Sequence, residues 1–242
     1  MTTDILIWIS GASSGIGRGL ADTAPWDGAR IIDISRRGAD GCEHVPADLT
    51  TVEGWQAAAD SFEKELAGFQ GERVVFVHCA GTLQPMGFAG EVDHDAYTNQ
   101  VLLNSAAPQV LGDAFVAAVR DLDVDSHLIM ISSGAASSVY EGWSAYGPGK
   151  AAVDHWVRIV GAERARRGSR LRVVSVAPGV IDTRMQAQIR STPQEEFPAV
   201  EKFVDLHEQD DLVAPEDAAR GIWSLLDRDL DNGAVVDLRD LD

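Results

Sequence analysis

Short apolar runs alternate with longer amphipathic stretches along nearly the whole chain. The runs are rich in Val and Ile and are almost continuously apolar, as in strands buried on both faces of a sheet. They lie at 4–9, 29–34, 43–47, 73–77, 127–131, 171–176 and 234–238. The stretches between them have helical spacing, and they lie near 52–67, 105–120, 145–167 and 215–226, with a further helix starting at Gly15.

This alternation predicts an α/β fold, in which a doubly wound parallel sheet carries helices on both faces. The 242 residues are enough for one sizeable core, and no linker, repeat or low-complexity tract divides them. We therefore expect residues 1–242 to form a single-domain Rossmann fold. We expect the segment at about 182–212 to form a substrate loop, with a mobile stretch at 186–212.

Composition narrows the possible partners. The chain has 38 acidic and 20 basic residues and a formal net charge of −18, which disfavours attraction to nucleic acid or an anionic membrane. We see neither an apolar stretch of membrane-spanning length nor an N-terminal signal pattern, so we expect a cytoplasmic protein. Cys42 and Cys79 form neither a disulfide framework nor a zinc site, and we expect no metal.

A glycine-rich turn joins the first strand to the first helix. Gly11, Gly15 and Gly17 give the spacing G-x-x-x-G-x-G within residues 10–17. Glycine admits backbone angles closed to other residues and lets the chain approach a pyrophosphate, which the helix N-terminus attracts. Many strand-to-helix turns use glycine only to turn. The strand before this loop and the helix after it favour a dinucleotide-binding turn.

Lys150 lies four positions after Tyr146, and Ser133 lies thirteen positions before Tyr146. On a helix, positions i and i+4 share a face, so the Lys150 ammonium is expected beside the Tyr146 phenol, where it favours the ionised form. A phenol with an ordinary pKa of about 10 needs such a neighbour to exchange protons near neutral pH. Pro148 is tolerated only in a first helical turn, so the helix must begin near Ala145.

With these motifs in this order, the chain resembles the short-chain dehydrogenase/reductase family over essentially its full length. Tyr146, Lys150, Ser133 and Asn104 match the family's catalytic set. The resemblance implies that Tyr146 protonates a carbonyl oxygen, Ser133 hydrogen-bonds it, Lys150 holds the nicotinamide ribose, and Asn104 positions a water beside Lys150. Ser132 is an equally plausible hydroxyl by composition, and only the family's interval favours Ser133.

The same resemblance assigns the cofactor-binding residues. One segment departs from the family pattern: this chain has His78-Cys79-Ala80-Gly81 where the family usually has N-N-A-G. The change leaves open how this turn is braced and whether it contacts the cofactor near the adenine ribose. The implied cofactor contacts are Gly11, Ser13, Ser14, Gly15, Ile16, Gly17, Ser35, Arg36, Arg37, Asp48, Leu49, Cys79, Ala80, Gly81, Tyr146, Lys150, Pro178, Gly179, Ile181 and Thr183.

The end of the second predicted strand bears on the choice between NADP and NAD. Sites for NAD place an acid there for the ribose 2′-hydroxyl, whereas sites for NADP place an arginine for the 2′-phosphate. Ser35 occupies the expected acid position, and Arg36 offers a planar fork for a phosphate, which favours NADPH. Arg37 and Arg18 are either further phosphate contacts or surface charges. Asp33 shares a strand face with Ser35 and favours NAD if it reaches the ribose.

Within the family, the chain resembles sepiapterin reductase and the bacterial reductases of α-dicarbonyl compounds. The segment 177–186 and the tail 232–238 carry this likeness, and Asp237 matches an aspartate that anchors the pterin substrate. The alternative is a solvated carboxylate at a strand end. Ser133, Ser138, Tyr140, Trp143 and Met185 are candidates for the pocket wall, and Trp143 alternatively belongs to the core.

The sequence thus predicts an NADPH-dependent carbonyl reductase acting on a ketone or α-dicarbonyl compound, with Tyr146 as the general acid. The alternatives are an NAD-dependent alcohol dehydrogenase running in the oxidising direction and a non-catalytic NADP(H) sensor. A stripe of Ala151, Ala152, His155, Trp156 and Ile159 is either a core face or the contact surface of a homodimer or homotetramer.

Overall fold

The computed structural model describes residues 5–241 and has seven strands and eight helices in that range. Asp4 of the first predicted strand lies outside the described residues. In chain order the elements are β1 (Ile5–Ser10), α1 (Gly15–Asp22), β2 (Arg30–Ser35), β3 (Glu43–Pro46), α2 (Val52–Leu66), β4 (Arg73–His78), α3 (His94–Val101), α4 (Ala107–Val119), β5 (Asp125–Ile131), α5 (Tyr146–Arg166), β6 (Leu171–Ala177), α6 (Arg184–Arg190), α7 (Val200–Glu208), α8 (Pro215–Ser224) and β7 (Val235–Asp237).

All seven strands are parallel and lie in one sheet of order β3-β2-β1-β4-β5-β6-β7. The order reverses between β1 and β4, which creates a crevice outside their carboxyl ends. This is the doubly wound Rossmann architecture, so the predicted fold class is confirmed. Short 3₁₀ turns lie at Gly134–Ala136, Leu225–Asp227 and Leu238–Asp240, directly after β5, α8 and β7 in chain order.

Two apolar layers cover the sheet because successive side chains of each strand point to opposite faces. Leu6 and Trp8 of β1 face the layer formed with α2, α4 and α5, where Phe62 and Phe115 pack edge-on against the Trp8 ring. Ile7 and its neighbours face the layer formed with α1 and α8, which includes Trp223. Strands buried on both faces explain the unbroken apolar runs in the sequence.

The segment before α4 is helical, which the sequence analysis missed. Helix α3 leads through a π-helical turn, Leu102–Ala106, into α4. The resulting continuous helix, His94–Val119, is long and apolar enough by length and composition to cross a membrane, so the expectation that no such stretch exists was wrong. In the fold, Leu111 and Phe115 of this helix are fully buried against the sheet.

The predicted loop at 182–212 contains two helices, α6 and α7. Phe197, between them, is fully buried, and Val200 and Phe203 of α7 are also buried. These residues pack on aromatic side chains that lie between β5 and α5. The segment is therefore an ordered cover over the end of the sheet.

Candidate active site

The predicted site residues converge at the carboxyl ends of β1, β4, β5 and β6. The glycine turn follows β1, the 78–81 turn follows β4, Ser133 follows β5 and the Pro178-Gly179 motif follows β6. Parallel strands place all of these turns at one edge of the sheet, next to the switch point where dinucleotides bind in such folds.

The glycine turn has the shape that a pyrophosphate requires. Gly11 and Gly15 have φ angles of 77° and 56°, in the left-handed region that favours glycine. A Cβ on Gly17 would lie 2.3 Å from the Gly11 carbonyl oxygen, so only glycine lets α1 start this close to the loop. Ser14, the N-cap of α1, makes no side-chain cap hydrogen bond, which leaves the first amides of the helix available to an anion.

Asp33 braces this turn from the second strand. Its side chain is fully buried, and Oδ1 accepts a hydrogen bond from the Ala12 amide at 3.0 Å. Oδ2 accepts one from the Ser35 hydroxyl at 2.6 Å, and Ser35 in turn accepts from the Gly38 amide at 3.1 Å. Both side chains are therefore engaged in holding the loop.

The arginines near the end of β2 differ in their contacts. Arg36 and Arg37 are exposed, and neither forms an ion pair or a side-chain hydrogen bond within residues 5–241. Arg36 is near enough to Asp48 to contribute to the lowered pKa of that carboxylate, whose main cause is hydrogen bonding from Thr50. Arg18 donates to the Asp22 carboxylate and to the Asp40 carbonyl, so its guanidinium is already engaged.

The turn that carries Asp48 and Leu49 follows β3. Asp48 is exposed and accepts hydrogen bonds from the Thr50 amide at 3.0 Å and hydroxyl at 2.7 Å, while Leu49 is buried. A Cβ on Gly54 would lie 2.0 Å from the Asp48 carbonyl oxygen, so the first turn of α2 sits directly on this turn. Asp48 and Leu49 thus occupy a fixed position beside Arg36.

The unusual 78–81 turn is braced by its histidine. The Ser10 hydroxyl accepts hydrogen bonds from the Cys79 amide at 3.0 Å and the Ala80 amide at 3.1 Å, so its one proton is donated to His78 Nδ1 at 3.0 Å. Burial lowers the pKa of His78 to about 3, which keeps the ring neutral. Ser10 and His78 therefore supply the bracing that the sequence analysis left open. The Ala80 Cα lies 3.3 Å from the Cβ position of Gly11, so the two turns touch.

Asn104 lies in the π-helical turn and is almost fully buried. Its Nδ2 donates to the Thr82 carbonyl at 2.7 Å, and its Oδ1 accepts from the Thr82 amide at 2.9 Å. A Cβ on Gly81 would lie 3.1 Å from Asn104 Oδ1 and 3.8 Å from Lys150 Nζ, which places the three residues together. The amide of Asn104 holds the 81–82 backbone, and its role in positioning a water stays a prediction.

Helix α5 begins at Tyr146, with Ala145 as N-cap, so Pro148 lies in the first turn as its geometry requires. The Tyr146 phenol is buried, and burial raises its pKa above the ordinary value of 10. The neighbouring Ser133 hydroxyl opposes this shift. Ser132 is buried, and its hydroxyl has no partner within the described chain. The geometry therefore selects Ser133 over Ser132 as the neighbour of the phenol.

Lys150 lies beside Tyr146, as the helical spacing predicts. Its ammonium donates to the Ile131 carbonyl at 2.7 Å and lies 5.9 Å from the centroid of the Tyr146 ring. Burial lowers the pKa of Lys150 to about 8. Burial dominates the pKa of Tyr146, and the Lys150 ammonium is bound to the Ile131 carbonyl, so the effect of Lys150 on the ionisation of the phenol stays a prediction.

The Pro178-Gly179 motif reaches across to the glycine turn. Pro178 and Ile181 are buried, and Gly179 has a φ angle of 93°. The Thr183 methyl group lies 3.3 Å from the Cβ position of Gly15, and Thr183 is the N-cap of α6. The structure thus brings the two motifs that the family resemblance assigns to the cofactor into contact.

An aromatic cluster packs around Tyr146. Trp143 stacks on Phe197 with ring centroids 4.6 Å apart and contacts Tyr146 edge-on at 5.3 Å. We call this group the cap cluster, and its buried members are Leu83, Met86, Ala135, Trp143, Tyr146, Ile189, Phe197, Val200 and Phe203. Trp143 is only 6% exposed and belongs to this core. Tyr140 and Met185 pack on its border, whereas Ser138 is exposed.

Asp237 is engaged by a residue that the sequence analysis did not consider. The Arg239 guanidinium donates to both carboxylate oxygens of Asp237, at 2.9 and 2.6 Å, and the Arg239 amide donates to Oδ1 at 3.0 Å. A carboxylate held in this way has little capacity to receive the N–H donors of a pterin. His78, Thr82 and Phe197 were also missed as site residues, and only His78 gave a signal, as a departure from the family pattern.

The comparisons with known proteins agree with this architecture. The family model described as short chain dehydrogenase matches residues 6–194. Benzil reductase ((S)-benzoin forming) of Bacillus cereus is 31% identical over 243 residues, covering 94% of this chain and 96% of its own. Sepiapterin reductase of Bos taurus is 30% identical over 223 residues, covering 90% of this chain and 77% of its own.

A solved structure gives the same result for the fold. The crystal structure of the KRED1-Pglu enzyme superimposes with a TM-score of 0.79 at 28% sequence identity. The match covers 97% of this chain and all of that one. The likeness therefore extends from β1 to the C-terminal strand.

Proposed function

As a member of the short-chain dehydrogenase family, this chain is an oxidoreductase that uses a nicotinamide dinucleotide, and we propose that it is an NADPH-dependent reductase of aryl ketones and α-dicarbonyl compounds. The observation that carries the proposal is the buried Tyr146 phenol, which is protonated near neutral pH, adjoins Ser133 and borders an aromatic cluster. A protonated phenol is the state that reduction requires, because the carbonyl oxygen must receive a proton.

The chain's own residues supply the proton and the electrostatic stabilisation. When bound, the nicotinamide supplies the hydride for the carbonyl carbon. Negative charge then grows on the carbonyl oxygen, which Tyr146 protonates and to which Ser133 donates a hydrogen bond. Lys150 supplies a positive charge 5.9 Å from the Tyr146 ring, which favours the phenolate left after proton transfer. The cap cluster excludes water from this exchange.

The preference for NADPH is supported by the engagement of Asp33. NAD sites use a free carboxylate at the end of the second strand to bind the ribose hydroxyls. Here Asp33 is fully buried and bound to the Ala12 amide and the Ser35 hydroxyl. Arg36 is exposed beside Asp48 and has its donors available for a 2′-phosphate. The Asp33 carboxylate, which was the feature that favoured an NAD-dependent dehydrogenase, therefore holds the glycine loop.

We expect cofactor capture to weaken as the pH rises through about 8. The pKa of Lys150 is lowered to about 8, so its charge is present below that pH and lost above it. Tyr146 does not cause the change, since its pKa is raised above 10. The value of kcat/KM for NADPH reports groups of the free enzyme, so its pH profile measures Lys150. A profile that falls only above about pH 10, where a solvated lysine titrates, would contradict this assignment.

We also propose a homo-oligomer that associates through α4 and α5. Val110 of α4 is 42% exposed and Ile159 of α5 is 48% exposed. Of the predicted stripe, Trp156 is in fact packed inward, because a Cβ on Gly112 of α4 would lie 2.4 Å from its ring. His155 and Ile159 are exposed and remain the candidates for a partner contact.

A panel of carbonyl compounds assayed with NADPH and with NADH tests the proposal. The panel contains benzil, 1-phenyl-1,2-propanedione, sepiapterin, isatin and a simple sugar, and reduction is followed by loss of the reduced cofactor. We expect turnover of the aryl diketones with NADPH and little with the sugar. Binding of NADPH without turnover of any carbonyl would instead indicate a sensor, and faster turnover with NADH would overturn the cofactor assignment.

A further inference from the structure

The Arg239 guanidinium lies near the turn that carries Ser133. Its Nη2 is 3.9 Å from the point that a Cβ on Gly134 would occupy, and Gly134 directly follows Ser133. Its Cδ is 3.7 Å from the corresponding point on Gly179, in the motif beside the glycine turn. The side chain of Arg239 is 63% exposed. It therefore reaches from the turn after β7 to the turns that follow β5 and β6.

Asp237 orients this guanidinium and leaves part of it free. Asp237 receives the Nε hydrogen and one Nη2 hydrogen. A guanidinium carries five N–H donors, so three remain, on Nη1 and Nη2, and they have no partner among residues 5–241. Those two nitrogens form the planar end of the fork, which matches the two oxygens of a carboxylate.

A second cation borders the same region. Lys202 of α7 donates from Nζ to the Tyr140 hydroxyl at 2.7 Å and lies 5.1 Å from the centroid of that ring. The pKa of Arg239 is raised mainly by its hydrogen bonds to Asp237, and Tyr140 is near enough to contribute to that shift. The chain has about two acidic residues for each basic one, 38 against 20. Two cations therefore lie beside Tyr140 in a chain whose net charge is strongly negative.

We propose that Arg239, with Lys202 in support, forms an anion subsite and that the substrate is an aryl ketone carrying a carboxylate next to the reacting carbonyl, that is, an aryl 2-oxo acid. This inference rests on the proposed function. Arg239 lies beside Gly134, which directly follows Ser133, so it would hold a carboxylate close to the carbonyl that Ser133 and Tyr146 contact, and the aryl group would meet Tyr140 and the cap cluster. The carbonyl carbon gains hydride, its oxygen gains the Tyr146 proton, and NADPH is oxidised to NADP⁺.

A pair of substrates that differ only in charge tests the subsite. Benzoylformate carries the carboxylate, and methyl benzoylformate replaces it with a neutral ester. With Arg239→Gln we expect KM for benzoylformate to rise by about 10- to 100-fold, as for loss of a charge-assisted pair, and KM for the ester to change less than about threefold. Lys202→Gln should give a smaller change in the same direction. Arg220→Gln is the matched control, because Arg220 is an exposed arginine on α8 paired with Asp217.

The outcomes separate the inference from the proposed function. If Arg239→Gln raises KM for both substrates by the same factor, or for neither, the anion subsite is wrong while the reductase assignment stands. Reduction of the ester without reduction of benzoylformate by the parent protein also overturns the subsite. If the parent protein reduces neither compound and no diketone, both the subsite and the proposed function fail.

Discussion

The Tyr146→Phe protein is expected to lose about 10²- to 10⁴-fold in kcat for carbonyl reduction, the range typical of a general acid. The substitution removes the proton donor and keeps the ring that packs on Trp143 at 5.3 Å, so the fold and the cap cluster are retained. The dissociation constant of NADPH should change by less than about threefold, since the phenol makes no phosphate contact. Steady-state kinetics and fluorescence titration with NADPH measure the two quantities.

The adjacent serines provide a matched control for this result. Ser133→Ala removes the hydroxyl that neighbours the phenol, whereas Ser132→Ala removes a buried hydroxyl with no partner in the described chain. We expect a loss of kcat for Ser133→Ala and near-parent activity for Ser132→Ala. Residual activity of Tyr146→Phe within about threefold of the parent, well outside the range for general acids, would contradict the role assigned to Tyr146.

Arg36→Asp is expected to weaken NADPH by about 100-fold and NADH by less than about threefold. The change replaces a charge-assisted hydrogen bond to the 2′-phosphate with repulsion between two negative groups. Arg36 is exposed next to Asp48, so the substitution leaves no buried group without a partner. Competition between the two cofactors at fixed salt measures the ratio directly.

Arg37→Asp is the control, because it changes the net charge by the same amount at the neighbouring exposed position. A general electrostatic effect would weaken NADPH equally in both variants. A specific contact predicts a much larger effect at Arg36. Equal weakening of NADPH and NADH in Arg36→Asp would show that Arg36 does not contact the phosphate.

Most of the sheet could be predicted from the sequence because its strands are buried on both faces. The run at β1 has no polar residue until Ser10, and such runs leave few alternatives to a buried strand. The two helices α6 and α7 were missed, although Val200, Phe203 and Val204 of α7 have helical spacing. Phe197 and Phe203 have a clear role only once Trp143, more than fifty positions earlier, is packed against them.

The residues of the site were also easier to predict than their contacts. Motif order identified Ser133, Tyr146 and Lys150, and the fold brings them to one edge of the sheet. The binding of Asp33 to the Ala12 amide and of Arg239 to Asp237 depends on side-chain conformations that no spacing specifies. The raised pKa of Tyr146 likewise follows from burial beneath α6 and α7, which the sequence did not reveal.

The central claim is that hydride passes from the nicotinamide to a ketone carbon, and a single-turnover experiment with NADPH deuterated at the transferable C4 position tests it. The enzyme is mixed with 1-phenyl-1,2-propanedione, and the product is analysed by mass spectrometry and NMR. We expect a hydroxy ketone that carries one deuterium on the new carbinol carbon and none on its oxygen after exchange with water. A hydroxy ketone without deuterium, or diketone recovered unchanged while NADPH is bound, would contradict the account.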